Sequence, residues 1–501
     1  MIFRDIKRAV ALGIGLLVAI AVGGTAGCGR QEEIPATALA TPLATPQAAA
    51  PVPVVIYLID TLRADRLGVY GYDRPTSPHL DALAAESVVF EQAYAAAPWT
   101  LPSVASLFTS TFVCEHALVK AGPKLNPALP TLAERLAARG YASAAFYTNP
   151  LLGPVAGLTR GFGTSSLRPT NAGIPADAAA WLDQRDASQP WFLYLHTMEP
   201  HQAFLAPYAE VKRFGHVPID VKVQLSDLWF EYAGLRRVDV GQGKLAGTTD
   251  TTAALDKARD GLNRLRPEYE LLYAAAVREA DGHLGAVIAD LKRRKLWDQT
   301  LFIVLADHGE EFGEHGLWFH EQSVYDAVLR VPLLIHFPQG QYAGRRVADV
   351  VSLVDVLPTI GEVLGVPEFC AGCRGVSLVP LLTEPTVPGR PAPVVIPALR
   401  VNATSFYRPW QKQAGDVNVV VREGPFKAIF NEQPGSLELY DLALDPNELK
   451  DQAAVDPARA VRLREAAGSW LKSCRRDLAA PEPAAYDEPT KKALRALGYL
   501  N

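Results

Sequence analysis

Several apolar runs in this chain end in residues that can do chemistry. Leu301–Leu305 leads into Asp307 and His308, and Val54–Ile59 leads into Asp60. Ala144–Tyr147 ends at Thr148 and Asn149, and Trp191–Leu195 ends at His196, with His201 five residues on. A carboxylate and an imidazole side by side suit a hard or borderline divalent cation. Taken singly, each has a plainer reading: a helix cap for Asp60, a polar turn for Asp307-His308, a structural loop histidine for His196 or His201. Their repeated placement after strand signals is what those readings leave unexplained. In open α/β sheets, ligands bind just beyond the carboxyl ends of the strands.

Thr100 stands apart from this set. It opens Thr100-Leu101-Pro102-Ser103-Val104-Ala105-Ser106-Leu107-Phe108, where Pro102 suits a first helical turn and Leu101, Val104, Ala105 and Phe108 share a face. Thr100 is therefore expected at or just before a helix N-terminus. It can cap that helix, or it can be a nucleophile held where free N–H groups and the helix dipole favour an anion.

The elements that must position these residues read as follows. The four apolar runs are buried strands, joined by Val331–Ile335. Thr131–Arg139, Tyr269–Lys295 and Val351–Leu364 read as helices. Residues 215–267 show weak periodicity and are taken as an insertion near the site. Glu310, Glu311 and Glu314 read as a solvated acidic loop, with a supporting role at the site left open. Beyond Pro391 the pattern shifts to short strands at Val419–Val421, Phe426–Phe430 and Leu437–Leu442, then a terminal helix.

Bulk composition agrees with a folded enzyme-sized chain. It has 501 residues, 49% hydrophobic and 21% charged, enough for one large domain and a smaller one. A net charge of −5 implies no general affinity for nucleic acid. Arg4, Lys7 and Arg8 precede an apolar run from Ala9 to Val22, which is short for a membrane span and reads as a signal peptide. Residues 29–53 are rich in Ala, Pro and Thr and are expected to be a tether. Cys370 and Cys373 are close enough for a local disulfide, while the pairing of Cys114 and Cys474 is open.

The chain resembles the sulfatase family of the alkaline phosphatase superfamily. The resemblance rests on Ile59-Asp60-Thr61-Leu62-Arg63-Ala64-Asp65 with Gly68-Val69-Tyr70-Gly71-Tyr72, and on Pro98-Trp99-Thr100-Leu101-Pro102-Ser103. It continues in His196-Thr197-Met198-Glu199-Pro200-His201, Ala306-Asp307-His308-Gly309 and Glu438-Leu439-Tyr440-Asp441-Leu442. Thr25-Ala26-Gly27-Cys28 resembles a bacterial lipobox, with Cys28 as the lipidated residue.

The resemblance implies an α/β fold: an alkaline-phosphatase-like sandwich with a central, mostly parallel sheet and a small C-terminal α+β subdomain. The expected layout is a signal peptide at 1–28, a linker at 29–53, a catalytic domain at 54–390 and a subdomain at 391–501. One divalent ion (Ca, Mg, Mn or Zn) is expected on Asp60, Thr100, Asp307 and His308. Thr100 falls on the nucleophile position, His201 and His320 near positions that contact the substrate or the leaving group, and Thr148, Asn149 and His196 are expected on the substrate. The family's formylglycine precursor is Cys or Ser, followed by an arginine four residues on; here Thr100 and Val104 stand instead. That substitution favours phosphate esters, phosphodiesters above all, through a covalent Thr100 intermediate. The alternatives are a sulfatase that works without formylglycine and an inactive binding protein of the envelope. Expected partners are a small-molecule, glycan or lipid ester and a membrane reached through the lipid anchor. The expected location is the bacterial envelope, facing the periplasm or on the outer membrane.

Overall fold

The computed structural model describes residues 51–119, 123–201, 203–237, 249–383, 394–396, 418–432, 435–474 and 486–496. Cys28, the signal segment and nearly all of the expected linker lie outside the described residues.

A large mixed sheet forms around Val54–Ile59 (β1). All six of its residues are buried, as a strand covered on both faces requires. The other strands are Val88–Tyr94 (β2), Ala142–Tyr147 (β3), Thr164–Leu167 (β4), Trp191–Thr197 (β5), Leu301–Leu305 (β6), Arg330–Val331 (β9), Leu333–His336 (β10) and Arg346–Ser352 (β11), with a hairpin of Glu311–Phe312 (β7) and Trp318–Phe319 (β8) between. Strand order is β11-β2-β10-β6-β1-β5-β3-β4, with β9 paired to β2. β1 lies between β5 and β6 and is parallel to both. β10 is antiparallel to β6 and β2, and so makes the sheet mixed.

The register sets the site. Leu58 pairs with His196 on one side and with Leu305 on the other. Tyr147 pairs with His196 on the far side of β5. Asp60, Asp307, Asn149 and His196 are thereby gathered at one end of three adjacent parallel strands and β6.

The helices cover the sheet, the longest being Arg266–Arg293. Residues 356–363 form the helix expected after residue 351, but 351 and 352 complete β11. The unreadable stretch 215–267 contains two helices, Ile219–Arg237 and Thr249–Arg264. A second, antiparallel sheet of Val394–Ile396 (β12), Asn418–Glu423 (β13), Phe426–Asn431 (β14) and Leu437–Asp441 (β15) packs against the helix Pro457–Ser473. Cys370 pairs with Cys373, and Cys114 pairs with Cys474 across a sequence separation of 360 residues.

Candidate active site

Thr100 is the first residue of the helix Thr100–Thr109, and Trp99 occupies the flanking cap position. The Thr100 hydroxyl points across the site rather than back at its own helix. Its Oγ1 lies 3.3 Å from His308 Nε2 and 3.5 Å from Asp60 Oδ2. Asn149 Nδ2 donates to Asp60 Oδ2 at 2.9 Å and approaches Thr100 Oγ1 at 3.4 Å. Ser103, one turn along, donates to the Asp307 carbonyl oxygen at 2.7 Å and so ties the helix to the loop after β6.

That loop is held by backbone. Gly309 N donates to Val328 O and Glu310 N to Ala327 O. A Cβ on Gly309 would overlap the Ala327 carbonyl oxygen, so only glycine allows this approach. His308 Nδ1 faces the Gly309 carbonyl oxygen at 2.9 Å. A carbonyl can only accept, so Nδ1 carries the proton and Nε2 presents a lone pair to the site. Burial lowers the pKa of His308, which favours this neutral form.

Two carboxylates share the centre. Asp60 Oδ1 and Asp307 Oδ2 are buried and have no hydrogen-bond donor. His308 Nε2 lies 3.5 Å from the first and 3.6 Å from the second. Burial raises Asp307 well above the usual carboxylate range, and Asp60 adds to the effect. Burial would raise Asp60 too, but its hydrogen bond to His196 and the nearby imidazoles hold it low. His196 Nε2 is 3.1 Å from Asp60 Oδ2, and its Nδ1 is 2.8 Å from the Tyr194 hydroxyl. Ligand atoms of Asp60, His196 and Asp307 all lie within 4.8 Å of one another. Unpartnered carboxylate oxygens converging with imidazole nitrogen fit one divalent cation, since buried charge of one sign needs a counter-charge.

The remaining predicted residues fall around this centre. His320 lies beside His308 and His201, with ring centroids 4.7 and 4.8 Å away. Asp60, Thr100, Asp307 and His308 are fully buried, whereas His320 is 8% exposed. Burial lowers His201 to about 4. Thr148 hydrogen-bonds Asn171 and the His196 carbonyl oxygen. His196, expected on the substrate, belongs to the buried Asp-His-Asp cluster.

Sequence reasoning missed the residues behind the site. Tyr194 is two residues before His196, hence on the same face of β5, which is the signal that could have found it. Arg63 is buried beneath the loop and donates to Asp65, Glu314 and the Glu310 carbonyl oxygen. Glu310 and Glu311, read as solvated loop, are both buried, because the hairpin β7–β8 folds them inward.

The chain is similar to known proteins. The family model described as Sulfatase matches residues 53–154 and 174–366, and the model for the N-sulphoglucosamine sulphohydrolase C-terminal region matches 313–465. Arylsulfatase K of Xenopus laevis is 28% identical over 292 residues, covering 56% of this chain and 52% of that protein. The chain thus spans about half the length of the arylsulfatase K relatives it matches first. Choline-sulfatase of Rhizobium meliloti (strain 1021) is 25% identical over 465 residues, covering 82% of this chain and 86% of that protein. Among solved structures, the phosphonate monoester hydrolase of Agrobacterium radiobacter superposes with a TM-score of 0.64 at 23% identity, covering 85% of this chain and 96% of that one.

Proposed function

The chain belongs to the sulfatase family, and we propose that it hydrolyses sulfate esters with Thr100 as the attacking group. The observation that carries this is the Thr100 hydroxyl, set between Asp60 and His308 at the head of a helix. Relatives named arylsulfatase and choline-sulfatase favour sulfate as the first reading. They outweigh the preference for phosphate drawn from the sequence.

Asp60, Asp307 and the imidazoles of His308 and His196 would hold a divalent cation, which supplies Lewis-acid charge beside the Thr100 hydroxyl and the ester oxygens. Asn149 orients both Asp60 and Thr100 through its amide N–H groups. The Thr100 hydroxyl gives its proton to Asp60 Oδ2, 3.5 Å away, as its oxygen forms a bond to the central sulfur and the bond to the leaving oxygen breaks. The free N–H groups of the helix N-terminus face the developing anion. His320, with His201 beside it, gives a proton to the leaving oxygen. Water then adds to the sulfur and gives a proton to the His320 imidazole, while the bond to the Thr100 oxygen breaks, Asp60 returns the proton to Thr100 and sulfate leaves.

A second reading is phosphate ester hydrolysis, phosphodiesters above all. Thr100 itself favours it. A threonine cannot supply the aldehyde hydrate that expels sulfate, whereas a simple hydroxyl nucleophile suits phosphorus. Paired assays with nitrophenyl sulfate and bis(nitrophenyl) phosphate, and high-resolution mass spectrometry of Thr100 trapped with each, separate the two. Turnover of neither, with metal bound, would refute both. A small-molecule or glycan ester is the substrate class proposed. Lipidation at Cys28 and an envelope location complete the proposal; unchanged membrane fractionation of Cys28→Ser would remove them.

A further inference from the structure

Glu310 is a fully buried carboxylate that the mechanism above does not use. Its surroundings are specific. Oε2 accepts from the Tyr269 hydroxyl at 2.9 Å, and Oε1 lies 3.3 Å from His320 Nδ1. The nearby guanidinium of Arg63 is committed elsewhere, to Asp65, to Glu314 and to the carbonyl oxygen of Glu310. A buried carboxylate whose partners are one phenol and one imidazole is a costly way to fill space.

The hairpin explains the pairing. Glu311 lies opposite Phe319 and Phe312 opposite Trp318. One step outward in that register brings Glu310 opposite His320. Phe319 and Glu321, on either side of His320, both have positive φ, at 70° and 74°. Two side-chain-bearing residues in the left-handed region cost energy and turn the chain sharply around the histidine. The backbone thus aims the His320 ring, and Glu310 can set its rotation and hold a proton on Nδ1.

We infer that Glu310 is a positioning residue: with Tyr269 behind it, it fixes the His320 ring so that Nε2 serves the departing ester oxygen. The inference rests on the ester-hydrolase reading given above. In the step it serves, the bond from sulfur or phosphorus to the leaving oxygen breaks. The proton on Nε2 moves to that oxygen, while the contact of Glu310 with Nδ1 keeps the ring turned toward it.

The test is a series of aryl esters of decreasing leaving-group acidity, from nitrophenyl to phenyl, measured with the full chain. Glu310→Gln and His320→Gln should each lose about 100-fold in kcat/KM on the phenyl ester, the scale of general acid catalysis, and under about 3-fold on the nitrophenyl ester. The double variant should be no worse than His320→Gln, and Tyr269→Phe should shift the same slope less. Bound metal, by elemental analysis, should not change. A loss uniform across leaving groups, or additive losses, would overturn the inference. Nitrogen-15 spectra of histidine-labelled protein give a readout independent of turnover. The His320 signals, identified by their disappearance in His320→Gln, should move in Glu310→Gln; unmoved signals would also overturn it. If Glu310→Gln does not fold, Tyr269→Phe carries both measurements. A wild type that turns over no ester would refute the ester-hydrolase reading, and the spectra alone would then decide whether Glu310 holds the ring.

Discussion

Asp307→Asn should have opposite effects on the chelated and the metal-loaded protein. In the chelated protein, Asp60 Oδ1 and Asp307 Oδ2 are buried without donors and face one another's charge. Asparagine has nearly the same shape and removes one of the two charges. Relief of an unsatisfied buried group is about 1–3 kcal/mol. At ~2.1 cal/mol/K per residue, a body spanning Pro51–Asn501 has an unfolding entropy of about 0.95 kcal/mol/K, so each kcal/mol moves Tm by about 1 °C. The chelated variant should therefore melt about 1–3 °C above chelated wild type. Metal at 100 times its Kd stabilises by about 2.7 kcal/mol, hence raises wild-type Tm by about 3 °C. The variant should gain less than about 1 °C, and turnover should vanish. Calorimetry of both proteins, chelated and titrated with metal, measures all four values. A variant that gains the full wild-type increment, or one that melts lower than wild type when both are chelated, would refute the assignment of Asp307.

Three further outcomes are expected. Thr100→Ala should abolish turnover while shifting Tm little, because Thr100 does not cap its helix; Thr100→Ser should keep part of the activity, and wild-type rates in the alanine variant would remove Thr100 from the chemistry. Lys427 is buried and bonds Asp326 at 2.7 Å and Glu448 at 2.6 Å; Lys427→Met takes the ammonium away from the buried Glu448 carboxylate and the half-buried Asp326 and should cost about 3–5 kcal/mol by denaturant unfolding. Cys474→Ser should destabilise by about 2–4 kcal/mol, since the bridge to Cys114 closes a very long loop; an unchanged unfolding midpoint in oxidising buffer would count against that bridge.

What could be read from the sequence was set by local rules. Asp60, Asp307 and His308 follow strands whose burial on both faces leaves near-continuous apolar runs, and such runs are visible without knowing the fold. Thr100 was visible because Pro102 marks a first helical turn. The helices within 215–267 were not visible. On Ile219–Arg237 apolar residues point both inward and outward: Leu225, Trp229 and Tyr232 are buried, while Ile219, Val223 and Phe230 are exposed. That spread erases the period on which the reading depends.

The supporting residues were hidden for a different reason, which is that their partners are distant in sequence. His196 meets Asp60 across 136 positions, and the strand register alone brings them together. Glu310 and His320 are only ten residues apart, yet the two-residue strands between them give no alternation to detect. A further layer starts in the C-terminal subdomain. Lys427 on β14 grips Asp326, and the next two residues, Ala327 and Val328, accept the N–H groups of Glu310 and Gly309. The small sheet therefore reaches the loop that carries Asp307 and His308 through one partly buried ion pair and two backbone bonds. Loss of Lys427 should thus lower activity in the folded fraction as well as stability. A Lys427→Met protein with wild-type turnover per folded molecule would show that the catalytic loop holds its shape without the subdomain.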